Sequence, residues 1–236
     1  MEQVISNRIQ WIRQAANFLF AGRAGFWTAV FTGLLTFFTY ELVNVSKQTD
    51  ETARATQRAL ISFAGINGGV TMSTADRKVR NHQEVLLNWT NSGTTPARNA
   101  KTSASGDAWP SVLPVGFDFP DLPSSGMQPI TLGPKETNGI RALIPINDFR
   151  TTWEGKSHLY LWAWVVYDDV FPGDPPRLTE FCTEMIQISI PQDKTADDFT
   201  NPNMPMAWNT SRCPEHNCYD TDCKDYPERV KQARGR

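Results

Sequence analysis

The densest concentration of reactive side chains is the run Cys213-Pro-Glu-His216-Asn-Cys218-Tyr-Asp-Thr-Asp-Cys223. With Cys182 it holds all four cysteines of the chain. Two chemistries compete for them. In an oxidising compartment, Cys182, Cys213, Cys218 and Cys223 form an even set with three alternative pairings, and a bridge to Cys182 would staple the polar C-terminal segment onto the strand that carries it. Closing such a loop contributes about 2–4 kcal/mol. In a reducing compartment, Cys213, His216, Cys218 and Cys223 offer three thiolates and one imidazole to zinc, although their spacing departs from the paired C-x2-C pattern. Asp220, Asp222 and Asp225 add hard oxygen ligands of the kind calcium takes, but neither a glycine turn nor a distal glutamate accompanies them, so a solvated acidic loop fits better.

Elsewhere the chain lacks the arrangements that activate a nucleophile or cradle a phosphate. There is no G-x-S-x-G elbow, no glycine-rich phosphate loop and no H-E-x-x-H helix. His82 and His158 read as lone surface histidines near strand starts. Asp168 and Asp169 fall in a turn, where neighbouring side chains diverge. We therefore assign no catalytic residue and no cofactor, and read the protein as a non-enzyme. Its 23 Lys and Arg nearly balance 25 Asp and Glu, for a net charge of −2. No block of five like charges interrupts that balance, which argues against nucleic acid as a partner.

The elements that must position these residues begin with a membrane anchor. Ala24 to Tyr40 (AGFWTAVFTGLLTFFTY) carries no charge, and as a helix covers about 26 Å of a hydrocarbon core about 30 Å thick. Leu42 and Val43 extend the span to 24–43 if Glu41 reaches the interface while Arg23 snorkels at the other end. The run starts far from Met1 with no small-residue cleavage site close behind it, so an anchor fits better than a cleaved signal. Arg8, Arg13 and Arg23 before the span match Lys47, Arg54 and Arg58 after it. The edge residues Arg23 and Glu41 then favour a cytoplasmic N-terminus and an extracytoplasmic C-terminal domain. Gly25, Ala29 and Gly33 recur at a spacing that would let a second copy of the helix approach, giving a homodimer. Before the span, Ile5, Ile9, Ile12, Ala16 and Leu19 form an amphipathic stripe over 1–23.

After the span, 44–62 has the composition of a helical stalk, without the apolar seam of a coiled coil. The remainder, 63–191, reads as β structure. Val85, Leu87 and Trp89 alternate, and Asn91-Ser-Gly93 ends that strand. Leu159 to Tyr167 is apolar on both faces, as in a central strand covered by two layers, and Phe181 to Ile190 returns beside it after the turn-rich run Asp168 to Pro176. Ile130 to Leu132 and Ile140 to Ile146 add two more strands, whereas Pro110 to Pro129 reads as a loop. The expected fold is mainly β with N-terminal helices: one transmembrane helix, a helical stalk, an antiparallel β-sandwich-like domain and a Cys-containing tail at 192–236.

The strings Trp89-Thr-Asn-Ser-Gly-Thr-Thr-Pro-Ala-Arg-Asn99, Tyr167-Asp-Asp-Val-Phe171, Arg177-Leu-Thr-Glu-Phe-Cys182 and His216-Asn-Cys-Tyr-Asp-Thr-Asp-Cys223 resemble those of a group of uncharacterised single-pass bacterial membrane proteins. The resemblance covers most of the chain after the span. It implies a small β-rich domain on an N-terminal anchor, and lends no activity, cofactor or catalytic residue. The functional expectation is a membrane-anchored binding or scaffolding module facing another protein or an envelope component, with the lipid bilayer itself as the other partner. The alternatives are a metal- or redox-responsive protein that uses the Cys-rich tail, and an enzyme with an unfamiliar site.

Overall fold

In a computed structural model of the protein, residues 2–73, 80–122 and 127–235 are described; the side chains of 1–24, Ala29 and 69–80 lie outside the described set. The amphipathic stripe from Ile5 to Leu19, and the Ala29 side chain of the helix-pairing face, fall there. In chain order the elements are α1 (Glu2–Gln57), β1 (Ile61–Ser73), β2 (Arg80–Asn91), β3 (Ala97–Trp109), β4 (Gln128–Leu132), β5 (Thr137–Pro145), α2 (Ile146–Trp153), β6 (His158–Asp168), β7 (Arg177–Ser189), β8 (Ala207–Arg212), β9 (Cys218–Tyr219) and α3 (Tyr226–Arg234). They divide into two compact units, Met1–Ala55 and Thr56–Arg236.

The first unit is helical. Span and stalk are one helix, and it ends at Gln57 rather than at 62. From Gly25 onward α1 is long and apolar enough to cross a membrane, as an anchor or a signal helix. Phe26, Trp27, Phe31, Leu35, Phe38 and Leu42 are all more than half exposed, a run of bare apolar surface that water does not favour and lipid does. The hydroxyls of Thr36 and Thr39 donate back to the carbonyls of Thr32 and Leu35 at 2.8 and 2.7 Å. Hydroxyls satisfied within the helix remove the main cost of placing threonine in hydrocarbon. Gly25 and Gly33 have open space around their Cα atoms.

The second unit holds two antiparallel sheets. One has the order β1-β2-β5; the other runs β4-β3-β6-β7-β8, with β9 also against β7. Their facing sides share one core. On β6, Leu159, Leu161, Ala163, Val165 and Tyr167 point into it and meet Val85, Leu87, Trp89, Ile140 and Ile144 of the first sheet. The alternate residues Tyr160, Trp162, Trp164 and Val166 are equally buried on the opposite face, which explains why LYLWAWVVY has no polar phase. That outer face is covered by the loop around 110–122 and by the C-terminal segment.

Between these bulky rows lies β3, whose inward residues Ala97, Ala100 and Ala104 are small. A Cβ on Gly106 would sit 2.7 Å from Leu161 Cδ2 and 2.8 Å from Ile144 Cδ1. Thr102 is buried between layers, accepting from Trp89 Nε1 at 3.0 Å and donating to the Trp164 carbonyl at 2.6 Å. Asn91 does more than end a strand. Its Oδ1 accepts from Leu60 and Gly93 N–H, and its Nδ2 donates to the carbonyls of Thr95 and Leu132. Gly93 is needed for space: a Cβ there would meet Ala59 Cα and Leu60 N at 2.8 Å.

The second unit is not wholly β. Pro145 ends β5 and Ile146 opens α2, which buries Ile146 and Phe149 one turn apart. The segment expected as a separate tail, 192–236, belongs to the second unit. Within it β8 extends the larger sheet. A proline in the first turn, Glu228 near the start and Lys231 and Arg234 in the last turn shape α3 in accord with the helix dipole.

Candidate functional site

Leu178, Glu180, Cys182 and Glu184 alternate along the outer face of β7. Glu180 stands between an apolar and a sulfur neighbour on a strand flanked on both sides, and is only 5% exposed. The segment after β8 is bound over it. Cys182 and Cys213 are joined by a disulfide with Cα atoms 5.3 Å apart, and Cys218 and Cys223 by a second at 5.2 Å. Asn217 fixes the intervening loop: its Nδ2 donates to the carbonyls of Cys182, Cys213 and Glu215, while its Oδ1 accepts from Cys182 N–H.

This loop delivers His216 to Glu180. Nδ1 of His216 lies 2.9 Å from Glu180 Oε2, and both side chains are more than nine-tenths buried. The Phe119 ring packs edge-on against the imidazole at 4.6 Å. The His216 backbone is left-handed, with φ of 57°, a conformation costing about 1 kcal/mol that the surrounding contacts sustain. Burial works against charging the imidazole, but the hydrogen bond and charge of Glu180, with Asp225 nearby, outweigh it and hold His216 above its ordinary pKa. Burial, reinforced by the charges of Asp118 and Glu180, raises the Asp225 carboxyl.

Arg229 of α3 completes the cluster. Its Nη2 donates to the Phe119 carbonyl at 2.9 Å, its Nη1 pairs with Asp121 at 3.3 Å, and its guanidinium lies over the Trp164 ring at 5.7 Å. Nε faces Glu180 Oε1 at 3.5 Å. Neither of those two buried atoms has a hydrogen-bond partner. A cleft of about 350 Å³ opens onto Glu180, His216, Asn217 and Cys218. A buried carboxylate and guanidinium with unfilled hydrogen-bonding capacity beside a solvent-connected cleft are an arrangement that stability alone does not favour.

A second, mostly apolar cleft of about 160 Å³ lies where loop 112–119 meets Tyr160 and the stapled segment 212–215. Val112 and Val115 on its rim are 65% and 95% exposed. Glu215 shapes the loop by accepting from Gly116 N–H with both carboxylate oxygens.

No family model and no curated protein matches the chain. A crystal structure of a protein from Archaeoglobus fulgidus is similar at a TM-score of 0.25 and 12% identity, covering 51% of this chain and 95% of that one. So slight a likeness carries no argument, and the site must be read from its own geometry.

Several sequence expectations change here. Both disulfides are formed and no free cysteine remains, so Cys213, His216, Cys218 and Cys223 do not present the four-ligand zinc set, Cys213 being held to Cys182. The calcium reading of Asp220, Asp222 and Asp225 also fails: the Asp220 carboxylate is taken by Arg177 Nη1 at 2.8 Å and Leu178 N–H at 3.0 Å. His158 is no lone surface residue, since it pairs with Glu184 at 2.6 Å. Asp168 pairs with Arg234 of α3, and Asp169 is buried beside Thr95. His82 is exposed on β2. Glu180 and Arg229 escaped sequence reading: alternation puts Glu180 on the face of Leu178 and Cys182, but an acidic residue in that phase does not by itself disclose that the face is covered.

Proposed function

We propose that this protein is a membrane-held binding module whose β unit lies outside the cytoplasm and takes an apolar side chain of a partner protein in the cleft beside Val112 and Val115. The observation that carries this reading is the pairing of an apolar, disulfide-stapled cleft with two exposed valines on its rim, where a loop serving packing alone would turn them inward. Arg212 and Glu215 among the lining residues add charges of both signs that can orient a peptide. The two disulfides support an oxidising compartment. The apolar helix supports an anchor, and Arg23 and Glu41 at its edges favour a cytoplasmic N-terminus.

A photo-reactive residue at position 115, in protein expressed in its native membrane, tests the reading against a control label at exposed Asp193. The expected result is a discrete adduct from position 115 that disappears when Val112 and Leu113 are changed to aspartate and serine. Adducts from 115 no stronger or more discrete than those from 193 would exclude the cleft as a binding site.

A further inference from the structure

Glu180 Oε1 is buried without a hydrogen bond, and the sulfurs of the second disulfide lie next to the same carboxylate. One oxygen of Glu180 and the Sγ atoms of Cys218 and Cys223 all lie within 4.8 Å of one another, and so do ligand atoms of Glu180, His216 and Asp225. Cys218 Sγ approaches Glu180 Oε2 to 3.5 Å. We infer that Cys218–Cys223 is a redox gate over a latent zinc site, and that its reduction assembles Cys218, Cys223, His216 and Glu180 as four ligands for one divalent zinc ion. This inference is independent of the apolar cleft proposed for partner binding.

The chemistry balances with a dithiol as reductant. One of its thiolates attacks Cys218 Sγ, the Cys218–Cys223 bond breaks and Cys223 leaves as a thiolate. The second thiol of the reductant then displaces Cys218, so the dithiol is oxidised to a disulfide and two electrons pass to the protein. The dithiol's two protons go to solvent when zinc holds both sulfurs as thiolates, and the imidazolium proton of His216 goes with them as the neutral ring takes up the metal. Access is provided by the cleft that Cys218 lines. The other bridge is better protected, with Cys182 fully buried and Cys213 8% exposed.

Charge and geometry favour the reduced site. Two thiolates and the Glu180 carboxylate bring three negative charges, Arg229 returns one positive, and a divalent ion neutralises the rest with His216 neutral. Tetrahedral zinc with ~2.3 Å bonds to sulfur needs its sulfurs about 3.8 Å apart. Cys218 is held in the short strand against β7, whereas Cys223 follows the 3-10 turn and lies outside that pairing, so its side chain can swing away by that amount while β7 keeps its partners. Glu180 Oε2, which lies beside both His216 Nδ1 and Cys218 Sγ, is the oxygen placed to ligate, while Oε1 keeps its charge contact with Arg229. In the oxidised form the sulfurs are bonded to each other and too weakly basic to hold the metal.

Cobalt(II), as a spectroscopic substitute for zinc, tests this in the full chain in detergent. After mild dithiol treatment, mass spectrometry of alkylated peptides establishes that Cys218 and Cys223 are free. The reduced protein should then bind one equivalent of cobalt with a thiolate-to-metal charge-transfer band and the ligand-field bands of a tetrahedral ion, both abolished by zinc. The oxidised protein should show neither. Zinc should slow alkylation of Cys218 and Cys223 at least tenfold, and His216→Ala should reduce that protection. A reduced protein without the charge-transfer band, or zinc leaving alkylation of these two cysteines unchanged, would overturn the inference. So would a band that survives in Cys218→Ser/Cys223→Ser. The alkylation measurement on the unmodified sequence decides the matter if that variant does not fold.

Discussion

Replacing Cys182 and Cys213 together by alanine removes the bridge that fastens the outer cover to the central strand. The bridged residues are 31 apart in sequence, and the loop-closure entropy released to the unfolded chain corresponds to about 3.7 kcal/mol at 25 °C. The Cys218–Cys223 bridge spans a separation of 5, for which the same relation gives about 2 kcal/mol. Alanine is the right replacement because serine would bury a hydroxyl. The Cys213 N–H to Cys182 carbonyl bond and the Asn217 contacts can re-form without the bridge, so the cover should stay docked in the folded variant. The loss should therefore appear as stability rather than structure, with a melting temperature lower by about 10 °C for a unit of this size. Urea titration of the full chain in detergent, under oxidising conditions and followed by tryptophan fluorescence, measures it. A loss below about 1 kcal/mol, or a Cys218→Ala/Cys223→Ala variant that loses more than the Cys182→Ala/Cys213→Ala one, would refute the loop-closure reasoning.

Three further outcomes are expected. Gly93→Ala pushes a methyl into the backbone of residues 58–60, which cannot yield as a side-chain end would; denaturation should show a loss of about 3 kcal/mol or more. Because His216 is held above its ordinary value of 6.5 by the Glu180 interaction despite burial, its contribution is full below that value and is lost as pH rises through the folded-state pKa. Unfolding free energy should decline as pH rises above 6.5, and His216→Gln should flatten that decline; an unchanged slope in the variant would dissociate His216 from it. Asp148 behaves in the opposite sense: burial first, then the charge of Asp107, raise its carboxyl to about 6, so its ionisation weakens the fold as pH rises from its ordinary value to about 6 and the cost persists at neutral pH. Asp148→Asn should stabilise the protein at pH 7 by about 1 kcal/mol after allowance for solvent screening, and should gain nothing at pH 4.

The parts of this fold that were legible in the sequence are those with large side chains in a clear phase. β6 announced itself because all of Leu159 to Tyr167 is apolar, and β7 followed from the turn that returns to it. β3 was silent: a strand chosen to fit between Trp89, Leu161 and Ile144 must be built of Ala, Ser, Thr and Gly, and such residues carry no hydrophobic period. Gly93 and Asn91 could be read as turn residues, but their task of fitting against residues 58–60 and joining four chain segments depends on tertiary contact. The cysteines of the site were visible, whereas their partner Glu180 was not, since an alternating acidic residue ordinarily marks the wet side of a sheet. Its face is dry because the disulfide-stapled segment 213–223 and α3 lie over it, and nothing local to β7 encodes that cover.

The position of that cover late in the chain has a consequence for biosynthesis. Trp164, Val166, Leu178 and Glu180 are complete before residues 213–234 emerge, so during synthesis this part of the outer face of the larger sheet stands without its C-terminal cover, an apolar surface beside an unpaired carboxylate. Folding chaperones and thiol oxidants acting on the nascent chain would meet this surface first, and cleavage before Cys213 would leave it permanently open to aggregation.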